Sequence, residues 1–133
     1  MKKQALVFGS IFGLFAVALG ALGAHALKDL LTSTQLESFG TGVRYQMYHA
    51  IILLVLGLSK IEESKLFKSI INLLIIGIII FSFSIYLLST SSITGISIGL
   101  VLGPLTPIGG LLLICSWGLM GWMFLKQPKQ IKA

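Results

Sequence analysis

The side chains that could do chemistry are concentrated in one part of the chain. Arg44, Tyr45, Tyr48 and His49 follow one another closely, and a second histidine, His25, precedes them. At about 100° per residue, the four clustered side chains fall within an arc of about 140° of one helix. Two pairs among them are i,i+4 neighbours, which can hydrogen-bond or stack. The pattern predicts a polar pocket where the guanidinium holds an anionic group and the other side chains form hydrogen bonds.

The same residues also have structural explanations. Arg44 can extend to lipid headgroups, or pair with Glu37 about two helical turns earlier. The two tyrosines fit the aromatic belt of a membrane interface. His25 fits a helix boundary, and a buried His49 fits an interhelical hydrogen bond. The sequence therefore leaves binding and structural roles open for every member of the group.

The spacing of ionisable residues argues against haem, zinc and catalysis. His25 and His49 differ in predicted depth by roughly 7–8 Å, which disfavours axial ligation of one haem by both. Neither has a cysteine pair or a carboxylate beside it for zinc. The acids lie in predicted loops or at a helix start, away from positions used for proton coupling: Asp29, Glu37, Glu62 and Glu63. No catalytic triad spacing or phosphate loop occurs, so we predict no cofactor, no metal site and no enzymatic activity.

The elements that position these residues are expected to lie in a membrane. Of 133 residues, 56% are hydrophobic and 11% are charged, whereas a soluble domain has about 45–50% and about 25%. A soluble fold of this size would leave a large apolar surface in water. The net charge of +6 comes from residues at the edges of apolar stretches, which indicates anionic headgroups rather than nucleic acid. A lone cysteine, Cys115, excludes a disulfide framework within the chain.

Four stretches are long enough to cross a bilayer, which needs roughly 20 residues. The predicted spans are residues 5–27, 35–58, 70–88 and 105–125. The second span carries the polar group, and a capping box of Thr34 and Glu37 predicts its start. The expected fold is all-α: one domain, residues 1–133, forming an integral membrane four-helix bundle.

The segment 93–103 is apolar but too short to cross. Glycines recur in it every four residues, and Pro104 and Pro107 follow, at the kind of position that proline takes in a first helical turn. We predict that this segment is re-entrant or interfacial. An apolar loop lying on its neighbours, or a broken start of the fourth span, would also fit the pattern.

The placement of lysines predicts the orientation. Eight lysines lie outside the spans on the face that both termini share, whereas the opposite face has Lys28 and Arg44. Positive residues favour the cytoplasmic side, so both termini are expected to be cytoplasmic. The sequence up to Ala26 also resembles a cleavable signal peptide, but its apolar stretch is longer than such signals have.

Small residues predict where the spans pack. Hydrophobicity cannot drive helix association in lipid, so close packing through small side chains does so. Spans one and four carry the residues assigned to this role: Gly9, Gly13, Ala16, Gly20, Ala24, Gly110 and Gly118. Packing within one chain is the first interpretation, and a homo-oligomer interface is the alternative.

Three motifs resemble a known family. They are GAHALK at 23–28, FGTGVRYQMYHA at 39–50 and GPLTPIGG at 103–110. They resemble the family of domain of unknown function 423, which contains small multi-span membrane proteins of the YgdD and YwdK type. The resemblance runs from span one to span four, although the third span matches only in character. It implies a multi-pass bacterial inner (plasma) membrane protein. It carries over no catalytic or binding residues, because the biochemical role of the family is not established.

Three functional hypotheses follow. In the first, a non-enzymatic binding or accessory protein holds a lipid or small amphiphile in the outer-side polar pocket, or docks a membrane-protein partner there. The second is a small channel or transporter acting as an oligomer, although no carboxylate or continuous polar stripe crosses the membrane. The third is a haem- or quinone-binding protein. The first agrees best with the polar group and the small residues of span one.

Overall fold

The part of the chain described by a computed structural model, residues 1–95 and 99–126, consists of helices joined by short connections. Its helices are α1 (Lys2–His25), α2 (Ser33–Leu58), α3 (Lys65–Ser89), α4 (Ser91–Thr94) and α5 (Gly99–Lys126). No strand occurs within those two ranges. The prediction of an all-α fold is confirmed.

Among the described residues, three helices are long and apolar enough to cross a membrane: α1, α3 and the part of α5 from Leu102 to Lys126. The fourth long helix, α2, has 26 residues. It is less apolar because its first half carries Glu37, Arg44 and several uncharged polar side chains. Membrane crossing by α2 therefore stays a prediction.

The long helices pack as two hairpins that meet through α2 and α3. Helix α1 packs along α2, helix α3 packs along α5, and α2 packs on α3. The first hairpin is antiparallel, because a Cβ at Gly57 would meet Leu6, whereas one at Gly23 would meet Phe39. The backbones of α1 and α3 do not pack along each other. A cleft between α1 and α3, with α2 as its floor, results from this arrangement.

The main core joins residues of α1, α2, α3 and α5. Its fully buried members, each 0% exposed, include Phe67, Ile70, Ile71 and Leu74 of α3. A smaller cluster around Phe39 packs the α1–α2 connection. In lipid, such cores stabilise the fold through van der Waals contacts, because surrounding acyl chains are as apolar as the side chains themselves.

Helix α2 begins two residues before its predicted start, at a different capping box. The N-cap is Thr32: its hydroxyl accepts from the Gln35 N–H at 3.3 Å, while the Thr32 N–H donates to Gln35 Oε1 at 3.0 Å. The predicted box of Thr34 and Glu37 is therefore wrong. Thr32 and Gln35 have the same spacing as Thr34 and Glu37, and they satisfy the free backbone N–H groups at the start of the helix two residues earlier in the chain. Gln35 Nε2 also donates to Ser92 Oγ at 3.1 Å, which joins α2 to α4.

Helix α5 begins before the predicted start of the fourth span. It starts at Gly99 and continues through Pro104 and Pro107. These are the sixth and ninth residues of the helix, so neither lies in the first turn as the sequence predicted, and each removes one i→i−4 backbone hydrogen bond. The predicted re-entrant or interfacial segment 93–103 includes residues 96–98, which lie outside the described residues. Before them, Gly95 ends α4 with a φ of 67°, a conformation that favours glycine.

Glu63 ties the α2–α3 connection to the start of α1. The Lys2 N–H donates to Glu63 Oε1 at 3.1 Å, and the Met1 amino group donates to Oε2 at 3.1 Å. These two contacts, the backbone bond from Lys2 first, lower the pKa of the Glu63 carboxyl. The contact places the first residues of α1 beside those that precede α3.

We expect this contact to be lost in acid. Because the pKa of Glu63 is lowered on folding, its stabilisation is present above the ordinary carboxyl pKa of 4.5 and disappears as pH falls through the lowered value. Glu63→Gln should lower the melting temperature at pH 7, and the difference from wild type should shrink at pH 3. Glu62→Gln is the control, since the Glu62 carboxylate makes no hydrogen bond within the described residues. An equal deficit for Glu63→Gln at both pH values would count against the assignment.

Candidate functional site

His49 lies where α2 faces α5, and both of its ring nitrogens have partners. Its Nδ1 is 2.7 Å from the Tyr45 carbonyl oxygen, and the Trp117 indole N–H donates to Nε2 at 3.1 Å. An indole N–H is only a donor, so Nε2 accepts and the proton lies on Nδ1 of a neutral ring. Ligation of haem by His49 would require breaking one of these two bonds.

The two tyrosines of the predicted pocket are both partly exposed but have different surroundings. The Tyr45 ring packs 5.1 Å from the Phe81 ring and 6.0 Å from the His49 ring, between centroids. Tyr48 points outward with 55% of its surface exposed. Tyr45 and His49 are thus brought together, on the side of α2 that faces α3 and α5.

Arg44 borders a groove of about 280 Å³ between α1 and α2. On the α1 side the groove is lined by Gly20, Gly23 and Ala24, whose small side chains leave the space open. The Arg44 Nη2 donates to Thr41 Oγ1 at 2.9 Å. A guanidinium has five N–H donors, so this one bond leaves most of them available for a ligand. No ion pair with an acidic side chain forms at Arg44 within the described residues.

The five predicted site residues do not line one cavity. Tyr45 and His49 are about 100° and about 140° from Arg44 around the helix, so they turn toward α3 and α5 while Arg44 borders α1. His25 is exposed at the end of α1 and does not line the groove. Of the five, Arg44 alone combines a cationic group with a cavity, and its binding role stays a prediction.

Sequence reasoning missed the role of Gln46, which joins three helices. Its side chain is 5% exposed. The Gln46 Nε2 donates to the Phe12 carbonyl oxygen at 2.8 Å, and the Tyr86 hydroxyl donates to Gln46 Oε1 at 2.9 Å. A single glutamine near the middle of a membrane helix could have suggested an interhelical bond, since a carboxamide in lipid needs partners.

Further hydroxyl groups of α3 complete the polar contacts between helices. Ser82 Oγ donates to the Gly42 carbonyl oxygen at 3.1 Å, and Ser84 and Thr106 hydrogen-bond through their hydroxyls at 2.8 Å. Within residues 1–95 and 99–126, no buried side-chain nitrogen or oxygen lacks a partner. The same ranges contain no group of three or more His, Cys, Asp or Glu residues that could hold a metal ion.

Comparison with known proteins places the chain in a family. Residues 19–110 match the model of the family described as "Protein of unknown function (DUF423)". The chain belongs to this family. The resemblance of the three motifs is thereby confirmed, and the match includes Arg44, Gln46 and His49. It ends before Trp117, so the indole partner of His49 lies outside the matched residues.

Relatives in the family are similar over most of their length. A UPF0382 membrane protein of Haemophilus influenzae is 36% identical over 117 residues, which cover 88% of this chain and 90% of the relative. UPF0382 membrane protein YwdK of Bacillus subtilis is 38% identical over 117 residues, with 86% and 90% coverage. UPF0382 membrane protein C1782.12c of Schizosaccharomyces pombe is 35% identical over 112 residues, with 84% and 92% coverage. No solved structure matches the chain.

The small residues of α1 differ in what they contact. A Cβ at Gly9 would lie 3.0 Å from the Ala50 carbonyl oxygen, and one at Gly20 would lie 3.4 Å from Val43. Ala16 is 1% exposed. These three residues let α1 approach α2 closely. Ala24, assigned to packing from the sequence, is exposed and lines the Arg44 groove.

The remaining small residues assigned to packing make few contacts within the chain. A Cβ at Gly13 or Gly118 would meet nothing within 4 Å among the described residues, and one at Gly110 would lie 3.7 Å from the Phe81 ring. The close approach in α5 is at Gly109, where a Cβ would lie 2.5 Å from the Phe81 backbone nitrogen. Packing of Gly13 and Gly118 between copies of the chain stays a prediction.

Proposed function

We propose that this family member is a non-enzymatic membrane protein that binds an anionic amphiphile in the groove between α1 and α2. The observation that carries the proposal is the position of Arg44 beside a cavity with small-residue walls. The guanidinium supplies charge-assisted hydrogen bonds to a phosphate or carboxylate. The apolar part of the ligand lies against Gly20 and Gly23.

The proposal includes four membrane crossings, with both termini at the cytoplasmic side of a bacterial inner membrane. Helix α2 supports the fourth crossing because it packs antiparallel along α1, from Phe39 beside Gly23 to Gly57 beside Leu6. The start of α1 and the α2–α3 connection lie together through Glu63. That end of the hairpins carries several lysines, which supports the cytoplasmic assignment: Lys2, Lys3, Lys60, Lys65 and Lys68.

The depth of Arg44 supports an anionic ligand rather than water alone. Arg44 follows the start of α2 by roughly 16 Å along the axis, at about 1.5 Å per residue. A cation at such a depth is costly unless it extends to the surface or pairs with an anion. Its bond to Thr41, one turn closer to the helix start, directs the guanidinium toward the outer surface. Headgroup phosphates of lipids in the outer leaflet lie in that direction.

Loss of the Arg44 charge should weaken lipid binding. We expect Arg44→Gln to lower retention of phosphatidylglycerol about tenfold, which corresponds to about 1.4 kcal/mol, close to the lower end of the range for a hydrogen bond to a charged group. The measurement is native mass spectrometry of the full chain released from nanodiscs of phosphatidylglycerol and phosphatidylethanolamine. Lys28→Gln is the matched control, because it removes an outer-side positive charge that does not line the groove.

A second pair of variants tests the groove itself. Ala24→Leu places a larger side chain in the cavity at an exposed position and should also reduce retention, whereas Ala21→Leu, exposed on α1 but outside the groove, should not. Equal retention by wild type, Arg44→Gln and Ala24→Leu would refute the proposal. A captured protein instead of a lipid, lost in the same two variants, would replace it with docking of a membrane partner.

A further inference from the structure

A second cavity lies between α1 and α3 and is separate from the Arg44 groove. Its volume is about 430 Å³. Phe12 and Phe15 of α1 form one wall, and Ile79 and Phe83 of α3 form the other. The cavity exists because both helices pack on α2 without packing along each other. It opens toward the lipid, since Phe15 and Phe83 are 53% and 60% exposed.

The exposed lining of this cleft is almost entirely apolar, but polar side chains lie at its floor. Gln46 and Tyr86 line it, joined by the hydrogen bond from the Tyr86 hydroxyl to Gln46 Oε1. A carboxamide has two N–H donors and an oxygen with two lone pairs. The bonds to Phe12 and Tyr86 use one donor and one lone pair of Gln46. One N–H and one lone pair of Gln46 therefore have no partner among the described residues.

The depth of the floor restricts the kind of ligand. Gln46 follows the start of the 26-residue helix α2 by roughly 20 Å, at about 1.5 Å per residue. If α2 crosses the membrane, as the proposed function holds, Gln46 lies near the middle of the hydrocarbon layer, which is about 30 Å thick. Phosphate and other charged headgroups do not reach this depth without a large cost. A ligand that uses the Gln46 N–H must carry a neutral polar group into the bilayer interior.

We infer that this cleft binds a neutral, lipid-soluble ring compound that bears a carbonyl group, the chemistry of isoprenoid quinones. The ring carbonyl accepts from the Gln46 N–H. The flat ring packs between the phenylalanines of the two walls, where aromatic contacts favour it over a flexible chain. A saturated acyl chain would fill the same space and leave the carboxamide donor unused. The inference does not depend on ligand binding by Arg44.

The test uses decylubiquinone and the full chain in nanodiscs. Binding is measured as the ability of decylubiquinone to compete with a photoreactive quinone. Mass spectrometry then identifies which peptides the photoreactive quinone has labelled. Ile79→Trp fills the cleft from a position that is 47% exposed and should lower affinity at least tenfold. Ile76→Trp is the matched control, since Ile76 is equally exposed on α3 but does not line the cleft. A hydrogen bond from Gln46 should shift the carbonyl stretching frequency of the bound quinone in the infrared spectrum. Gln46→Leu should remove this shift.

Saturable labelling of α1 and α3, reduced in Ile79→Trp and unchanged in Ile76→Trp, would support the inference. Labelling that does not saturate, or that phosphatidylglycerol displaces as well as decylubiquinone does, would overturn it in favour of ordinary surrounding lipid. Identical affinity of Ile79→Trp and wild type would overturn it as well. The Arg44→Gln protein should bind the quinone normally, so failure of the proposed lipid site can be told apart from failure of the quinone cleft.

Discussion

Replacing Gly109 by alanine is expected to destabilise the protein by about 2–3 kcal/mol, near the upper part of the range for overpacking. A Cβ at this position would lie 2.5 Å from the Phe81 backbone nitrogen and 2.7 Å from its Cα. Backbone atoms cannot rotate away as a side chain can, so α3 and α5 would have to separate. That separation would weaken contacts along the most extensive helix interface, including the hydrogen bond between Ser84 and Thr106.

The neighbouring glycine provides a matched control for this prediction. A Cβ at Gly110 would lie 3.7 Å from the Phe81 ring, which is ordinary contact, and alanine has a better helix propensity than glycine. Gly110→Ala should therefore leave stability unchanged or raise it by up to about 1 kcal/mol. Denaturation of both variants in mixed micelles, followed by circular dichroism, measures the difference. Comparable losses in the two would show that α3 and α5 do not approach each other most closely at Gly109.

The positions of the helices could be predicted well, because a long run of apolar residues by itself indicates a helix of membrane-crossing length. The predicted spans 5–27 and 70–88 lie largely within α1 and α3. The observed helix ends differ from the predicted span ends because hydropathy identifies only the apolar part of a helix. The helix itself extends to its capping residues. Helix α3 begins after Ser64, whose hydroxyl accepts from the Phe67 N–H, and so includes lysines outside the apolar run.

The sequence did not allow us to predict which helix packs against each polar face of α2. At 100° per residue it grouped Arg44 with His49, yet the first borders α1 and the second bonds to Trp117 of α5. His49 and Trp117 are 68 residues apart along the chain, so no local sequence pattern could predict their bond. Gly109 and Gly110 look alike in sequence, and only the position of Phe81 on α3 distinguishes them. Helix faces are local properties, whereas partners depend on packing.

The second large effect is expected at Gln46. Replacement by leucine keeps a side chain of similar size but makes it apolar, which removes the bonds to Phe12 and Tyr86 together. Hydrogen bonds between membrane helices contribute about 0.6 kcal/mol on average and up to about 1.7 kcal/mol. Two such bonds, and a Tyr86 hydroxyl left without its acceptor, should make Gln46→Leu cost about 2 kcal/mol. Gln4→Leu on the exposed face of α1 is the control and should have little effect.

A double-mutant cycle separates the shared bond from other effects of the substitution. Tyr86→Phe removes the hydroxyl and should cost about 1 kcal/mol. In the Gln46→Leu background the same change should cost almost nothing, because its acceptor is already absent. Unfolding free energies of the four proteins in one detergent give the coupling. Strictly additive losses would mean that Gln46 stabilises the fold through α1 alone, and that the Tyr86–Gln46 bond contributes nothing to holding α3 on α2.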